Sequence, residues 1–143
     1  MDRHQILGPV LAMMLLTLVV WIYMYARRIP FIRSLDMAPQ QLTPAELARR
    51  SPPAVSNPSD NLKNLFEVPV LFYVLALYLF VTDQVDAAFV VAAWLFVLFR
   101  VLHSAVHCTI NIVMLRFALY AASCACVFYI LVRSAMIYFL PAL

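Results

Sequence analysis

Four stretches of this chain, Ile6 to Ala26, Leu65 to Thr82, Ala87 to His107 and Phe117 to about Phe139, are almost wholly apolar. Each is close to the roughly 20 residues that a helix needs to cross about 30 Å of hydrocarbon. No other feature narrows the possible folds as much. Backbone in lipid must pair its own N–H and C=O groups, so each run becomes a helix. With 66% hydrophobic and 12% charged residues, too little polar sequence remains to clothe a water-soluble core. The expected fold is therefore an all-α integral membrane protein, one domain over residues 1–143 built as a bundle of four transmembrane helices, with membrane lipids as its surroundings.

The first run is too long for a signal-peptide core and no small-residue cleavage site follows it, so it is expected to remain as a span. It closes on Trp21, Tyr23 and Tyr25, an aromatic belt suited to the membrane interface. Between the first two spans lies the only extended polar segment, residues 27–63, holding Arg27, Arg28, Arg33, Arg49, Arg50 and Lys63. The turn Thr82-Asp83-Gln84-Val85-Asp86 has no basic residue. The positive-inside rule then makes the 27–63 loop cytoplasmic and puts both termini outside. Basic residues placed by topology, with a net charge of only +3, argue against nucleic acid as a partner. Within the loop, Thr43-Pro44-Ala45-Glu46 reads as a capping box opening a short helix to about Arg50. The Ser-Pro-Pro-Ala-Val-Ser-Asn-Pro run after it is expected to be an extended connector. Cys108, Cys124 and Cys126 are expected as buried free thiols. With Gly8 the only glycine, close helix contacts are expected to use alanine, at Ala88 with Ala92, Ala118 with Ala122, and Ala121 with Ala125.

Between Arg100 and Tyr120 the pattern changes. Arg100, His103, Ser104, His107 and Asn111 recur at spacings of three or four, which draws one polar stripe along a helix. Facing lipid it is costly, so it is expected to face the bundle interior or a wet cavity. The topology brings Glu67, Arg100 and His103, and Arg116 with Tyr120, to one membrane depth from three helices. Arg100 is expected to pair with Glu67, the only carboxylate at that depth, or to join a small network including Asn64. His103 and His107, four apart, suit a metal ligand pair. The only other histidine, His4, falls on the opposite side of the membrane, so no metal is expected. Arg133 is expected to snorkel to the far interface.

The segment Ser59-Asp60-Asn61-Leu62-Lys63-Asn64-Leu65-Phe66-Glu67-Val68-Pro69, then Arg100-Val101-Leu102-His103, then Arg116 with Tyr120, resembles the membrane-associated proteins in eicosanoid and glutathione metabolism, the MAPEG family. Its signatures are Asn-x-x-Glu with a nearby proline opening the second helix, Arg-x-x-His in the third, and Arg-x-x-x-Tyr in the fourth. Ala26-Arg27-Arg28 resembles the basic end of the family's first helix. The resemblance implies a homotrimer with glutathione bound between neighbours near the cytoplasmic face. It implies catalytic roles for Arg116, which stabilises a thiolate, and Tyr120, which donates a hydrogen bond to the tripeptide or packs on it. Asn64, Glu67, Arg100, His103, His107, Arg27 and Arg28 are implied as glutathione-binding residues, with His103 or His107 as a proton carrier. Asp60 stands where the family usually has an arginine, and is expected to repel a glutathione carboxylate. His107 stands where related synthases often have tyrosine. These departures suggest a divergent, bacterial-like branch in an inner membrane.

Two functions follow from the resemblance. One is a glutathione-dependent transferase or peroxidase acting on a lipophilic electrophile or lipid hydroperoxide. The other is a non-catalytic lipid-binding or accessory subunit of a larger membrane complex.

Overall fold

The computed structural model describes residues 2–35 and 37–140. Among them the chain forms six α-helices: α1 (Leu7–Ser34), α2 (Pro44–Arg50), α3 (Pro53–Asn64), α4 (Val68–Val81), α5 (Ala87–Cys108) and α6 (Val113–Phe139), with short 3₁₀ turns at Arg3–Ile6 and Pro39–Gln41. Four helical stretches are long and apolar enough to cross a membrane: Arg3–Ser34, Pro53–Val81, Ala87–Cys108 and Val113–Phe139. The expected four-span bundle is present, and the chain is an integral membrane protein.

The boundaries differ from expectation at the basic end. α1 does not stop at Ala26 but runs on to Ser34, with Pro30 inside it, so Arg27 and Arg28 are helical. Thr43 caps α2 as expected, its hydroxyl accepting from the Glu46 N–H at 3.2 Å. Arg49 and Arg50 side chains pair with Glu46 and hold its carboxyl down to about 2.

The proline-rich run is not an extended connector. Pro53 occupies the first turn of α3, where a missing N–H costs nothing, and the Val55 and Ser56 N–H groups donate to the Pro52 carbonyl at 2.8 and 3.0 Å. Pro58 does remove a helical bond, a loss of up to about 3 kcal/mol. Burial of Val55, Pro58 and Asn61 as α3 packs on α1 and α5 offsets it. Pro69 acts in the opposite sense. It cannot bond back to Leu65, and the helix breaks over Leu65–Glu67 before α4 resumes.

α5 lies at the centre. Phe89, Ala93, Phe96, Arg100, His103 and His107 form one buried face, spaced by alternating fours and threes, apolar at one end and polar at the other. Phe96 stacks on Phe72 of α4 with ring centroids 4.5 Å apart. Gly8 lets α1 approach α5, since a Cβ there would lie 3.3 Å from the Trp94 ring. The alanine expectation holds only in part. Ala92 and Ala93 are buried, but α6 turns Ser123, Val127, Ile130 and Ser134 inward and leaves Ala118, Ala121 and Ala125 exposed. The three cysteines are free as expected, yet half-buried and not fully enclosed.

At the end away from the 27–63 segment, Arg133 does not snorkel freely. Its guanidinium donates to both Asp86 carboxylate oxygens, at 2.8 and 2.5 Å, and lies 4.3 Å from the Phe89 ring centroid. Asp86 also caps α5 by accepting from the Phe89 N–H at 3.0 Å. Asp86→Ala is expected to lower stability in detergent by about 1–3 kcal/mol, having lost cap and ion pair together. Asp86→Asn keeps the cap and should lose under about 1 kcal/mol. Equal losses in thermal melts would leave the cap without a role. Hydrogen bonding from Arg133 lowers the Asp86 pKa, so the pair's contribution is present above the ordinary carboxylate range and lost as pH falls through the lowered value. The deficit of Asp86→Asn should therefore vanish in strong acid.

Candidate functional site

The polar half of the α5 face begins with Arg100, which is fully buried. Its Nη2 donates to the Asn64 carbonyl at 2.8 Å, and its guanidinium carbon lies 5.6 Å from the Tyr120 ring centroid. Nε and Nη1 find no acceptor among the described residues. The expected pairing with Glu67 is not formed. Glu67 is exposed at the α3–α4 break and takes part in no ion pair among the described residues. The break itself explains this. It turns the backbone at Glu67 (φ −99°, ψ −102°), and the freed carbonyl of Asn64 meets Arg100 in its place.

One and two turns further along α5, His103 and His107 are buried with ring centroids 5.5 Å apart, edge to face, and His103 also lies 5.9 Å from the Tyr120 ring. Each leaves its Nδ1 without a partner among the described residues. Ser104, on the adjoining face, donates to Asn61 Oδ1 at 3.3 Å, and Asn61 Nδ2 reaches Cys108 Sγ at 3.5 Å. The stripe read from sequence thus faces the interior, where it meets α3 and α6.

The turn between α5 and α6 completes the arrangement. Asn111 holds a left-handed conformation, φ 48°, which its short amide side chain tolerates. Its Nδ2 donates to Asn57 Oδ1 of α3 at 3.2 Å, and its Oδ1 accepts from Arg116 Nη1 at 2.7 Å. Arg116 lies in the first turn of α6, and its side chain reaches back toward the helix start as helical side chains do.

Together these elements line an open cavity of about 260 Å³, formed by Asn64, Glu67, His103, Val113, Arg116, Phe117 and Tyr120. Five of the nine residues expected from sequence therefore share one wall: Arg116, Tyr120, Asn64, Glu67 and His103. Arg100 and His107 stand behind it, in contact with Tyr120 and His103 respectively. Arg27 and Arg28 do not line it. Arg27 lies over the Tyr23 ring at 5.7 Å, and Arg28 lines a separate cavity of about 260 Å³ with Ser51, Ser59, Asp60 and Lys63. Asp60 carries no uncompensated charge, because Lys63 Nζ lies 2.9 Å from its carboxylate.

Leu65 and Phe66, between Asn64 and Glu67, face away into an apolar cavity of about 430 Å³ shared with Met14, Leu18, Trp21 and Tyr73. The α3–α4 break thus contributes to both a polar and an apolar chamber. Chemically, the polar one offers a cation and a phenol at the start of α6, where the helix dipole also favours an anion, and an unpaired carboxylate opposite.

Asn57, Asn61 and Asn111 as partners escaped the sequence reading. Asn57, Asn61 and Asn64 are spaced by four and three, a one-face signal hidden once the proline run is read as non-helical.

Because Glu67 has no ion-pair partner among the described residues, Glu67→Ala should change stability by less than about 0.5 kcal/mol. Arg100→Met strands no carboxylate and should be neutral or stabilising in detergent melts. A loss above about 3 kcal/mol in Arg100→Met would show that Arg100 is paired after all.

The MAPEG family model matches residues 6–136 of the 143-residue chain. Comparison with curated proteins and with solved structures returns no match.

Proposed function

The chain belongs to the MAPEG family, and from that premise we propose that it is a membrane-embedded glutathione-dependent transferase or peroxidase acting on lipophilic electrophiles or lipid hydroperoxides. The observation that carries this reading is the shared wall of Arg116, Tyr120, Asn64, Glu67 and His103 beside an apolar chamber. Its donor set suits the tripeptide. A thiol is little ionised at neutral pH, and the fixed Arg116 cation with the α6 dipole lowers its pKa. Tyr120 donates a hydrogen bond to the sulfur. Glu67, without an ion-pair partner among the described residues, receives the ammonium group, and Asn64 orients the backbone. His103 lies within the wall as a proton acceptor. What bound glutathione supplies is a sulfur nucleophile, and the chamber of Met14, Leu18, Trp21 and Phe66 holds the apolar partner next to it.

One subunit offers too little. A cavity of about 260 Å³ is below the roughly 300–1,000 Å³ usual for small-molecule sites, and its wall has one cation for two carboxylates and a thiolate. A homotrimer in which a neighbour's α1 brings Arg27 or Arg28 to the open side supplies both the missing wall and the missing charge. The exposed Ala118, Ala121 and Ala125 of α6 give such neighbours a surface for close approach. The 27–63 segment and this site face the cytoplasm in a bacterial inner membrane. Pairing of Asp60 with Lys63 removes the repulsion expected from that carboxylate, which favours the enzyme over an accessory subunit.

Calorimetry of glutathione binding to the detergent-solubilised protein tests the reading. Saturable binding that Arg116→Ala weakens at least tenfold, about 1.4 kcal/mol, is expected. Absence of binding at millimolar glutathione would overturn the proposal.

A further inference from the structure

We propose that Asn111 is a positioning residue for Arg116, and that it anchors the guanidinium to α3 through Asn57. The inference rests on the thiol reading of the site and adds a regulatory connection to it. Three observations carry it. Arg116 forms its side-chain hydrogen bond with Asn111 Oδ1, at 2.7 Å, and that amide in turn donates to Asn57 Oδ1 at 3.2 Å. Asn111 holds a left-handed backbone, φ 48°, which few side chains other than asparagine tolerate while still offering both an acceptor and a donor. Its own N–H donates to the Val106 carbonyl at 2.7 Å, so the turn is tied to the end of α5.

A long arginine side chain at the start of a helix has many rotamers, and a cation that wanders stabilises a thiolate poorly. The amide selects one of them without neutralising the charge, as a carboxylate in its place would. The other end of the relay is on α3, the helix that follows the cytoplasmic α2 and packs on α1. Displacement of α3 therefore loosens Arg116 with no change in α6 itself. Docking of α3 becomes a control on the reactivity of the site.

The step affected is loss of the thiol proton to solvent or His103, leaving the sulfur with the electron pair. It is read from the ultraviolet difference absorbance of the thiolate, protein with glutathione minus each alone, during a pH titration of the full-length protein in detergent with Cys108, Cys124 and Cys126 replaced by serine. Asn111→Gly keeps the left-handed turn and removes only the side chain. Its thiol pKa should rise by about one unit toward that of free thiol, roughly tenfold less thiolate at neutral pH. Asn57→Ala, remote from the sulfur, should shift it the same way by less. Arg116→Ala sets the full loss. If Arg116→Ala abolishes the ionisation while Asn111→Gly and Asn57→Ala titrate as wild type, the positioning role is wrong and the thiol site stands. If Arg116→Ala itself titrates as wild type, the thiol reading fails and this inference falls with it.

Discussion

A polar stripe cannot face hydrocarbon, and burying the one on α5 dictates how the rest of this bundle is arranged. Phe89, Ala93 and Phe96 pack at one end of that face much as a soluble core would, Phe96 against Phe72. At the other end Arg100, Ser104 and His103 require polar neighbours, which come from the Asn64 carbonyl, Asn61 and the Tyr120 ring. The α3–α4 break is part of the same solution. Pro69 interrupts the helix where Arg100 needs a free carbonyl. In a straight helix that carbonyl would also serve its own ladder, whereas at the break it is left to Arg100.

The four spans and the inward direction of the stripe were legible because both rest on hydropathy and period, which lipid enforces strictly. The capping box at Thr43 was legible for a similar reason: its hydrogen bonds are local. Partner choice was not. Glu67 and Arg100 lie at one depth with opposite charges, yet the backbone at Glu67 turns its carboxylate outward. Asp86 and Arg133 are far apart in sequence on different helices, and only the packing of α6 on α5 brings them to 2.8 Å. Proline misled once, since Pro53 opens a helix and Pro58 is tolerated within it. Reading that run as extended also hid the asparagine face that supports the site.

The two ends of the bundle have different characters. At the Asp86 end a carboxylate and a guanidinium satisfy each other, and Asp86 caps α5 as well. Near the 27–63 segment, polar groups are left unmatched among the described residues: Arg100 with two idle donors, histidines with free Nδ1 atoms, and Glu67 without a cation. Unmatched groups at membrane depth cost stability, and they are retained where a ligand, a proton or a second subunit uses them. The proposed thiol site would be one such use, with Arg116, Tyr120 and Asn64 on its wall.

Ligand protection of a single cavity-lining position tests that account most directly. In a background with Cys108, Cys124 and Cys126 replaced by serine, Phe117→Cys in α6 would be labelled by a charged, membrane-impermeant thiol reagent with and without glutathione sulfonate, an analogue that has no thiol to consume the reagent. Ala45→Cys, exposed on α2 in the polar 27–63 segment and away from the cavity, is the control. Protection at Phe117 alone is the predicted result. Equal labelling of Phe117→Cys with and without the analogue would show that the cavity between α3, α5 and α6 does not hold the tripeptide.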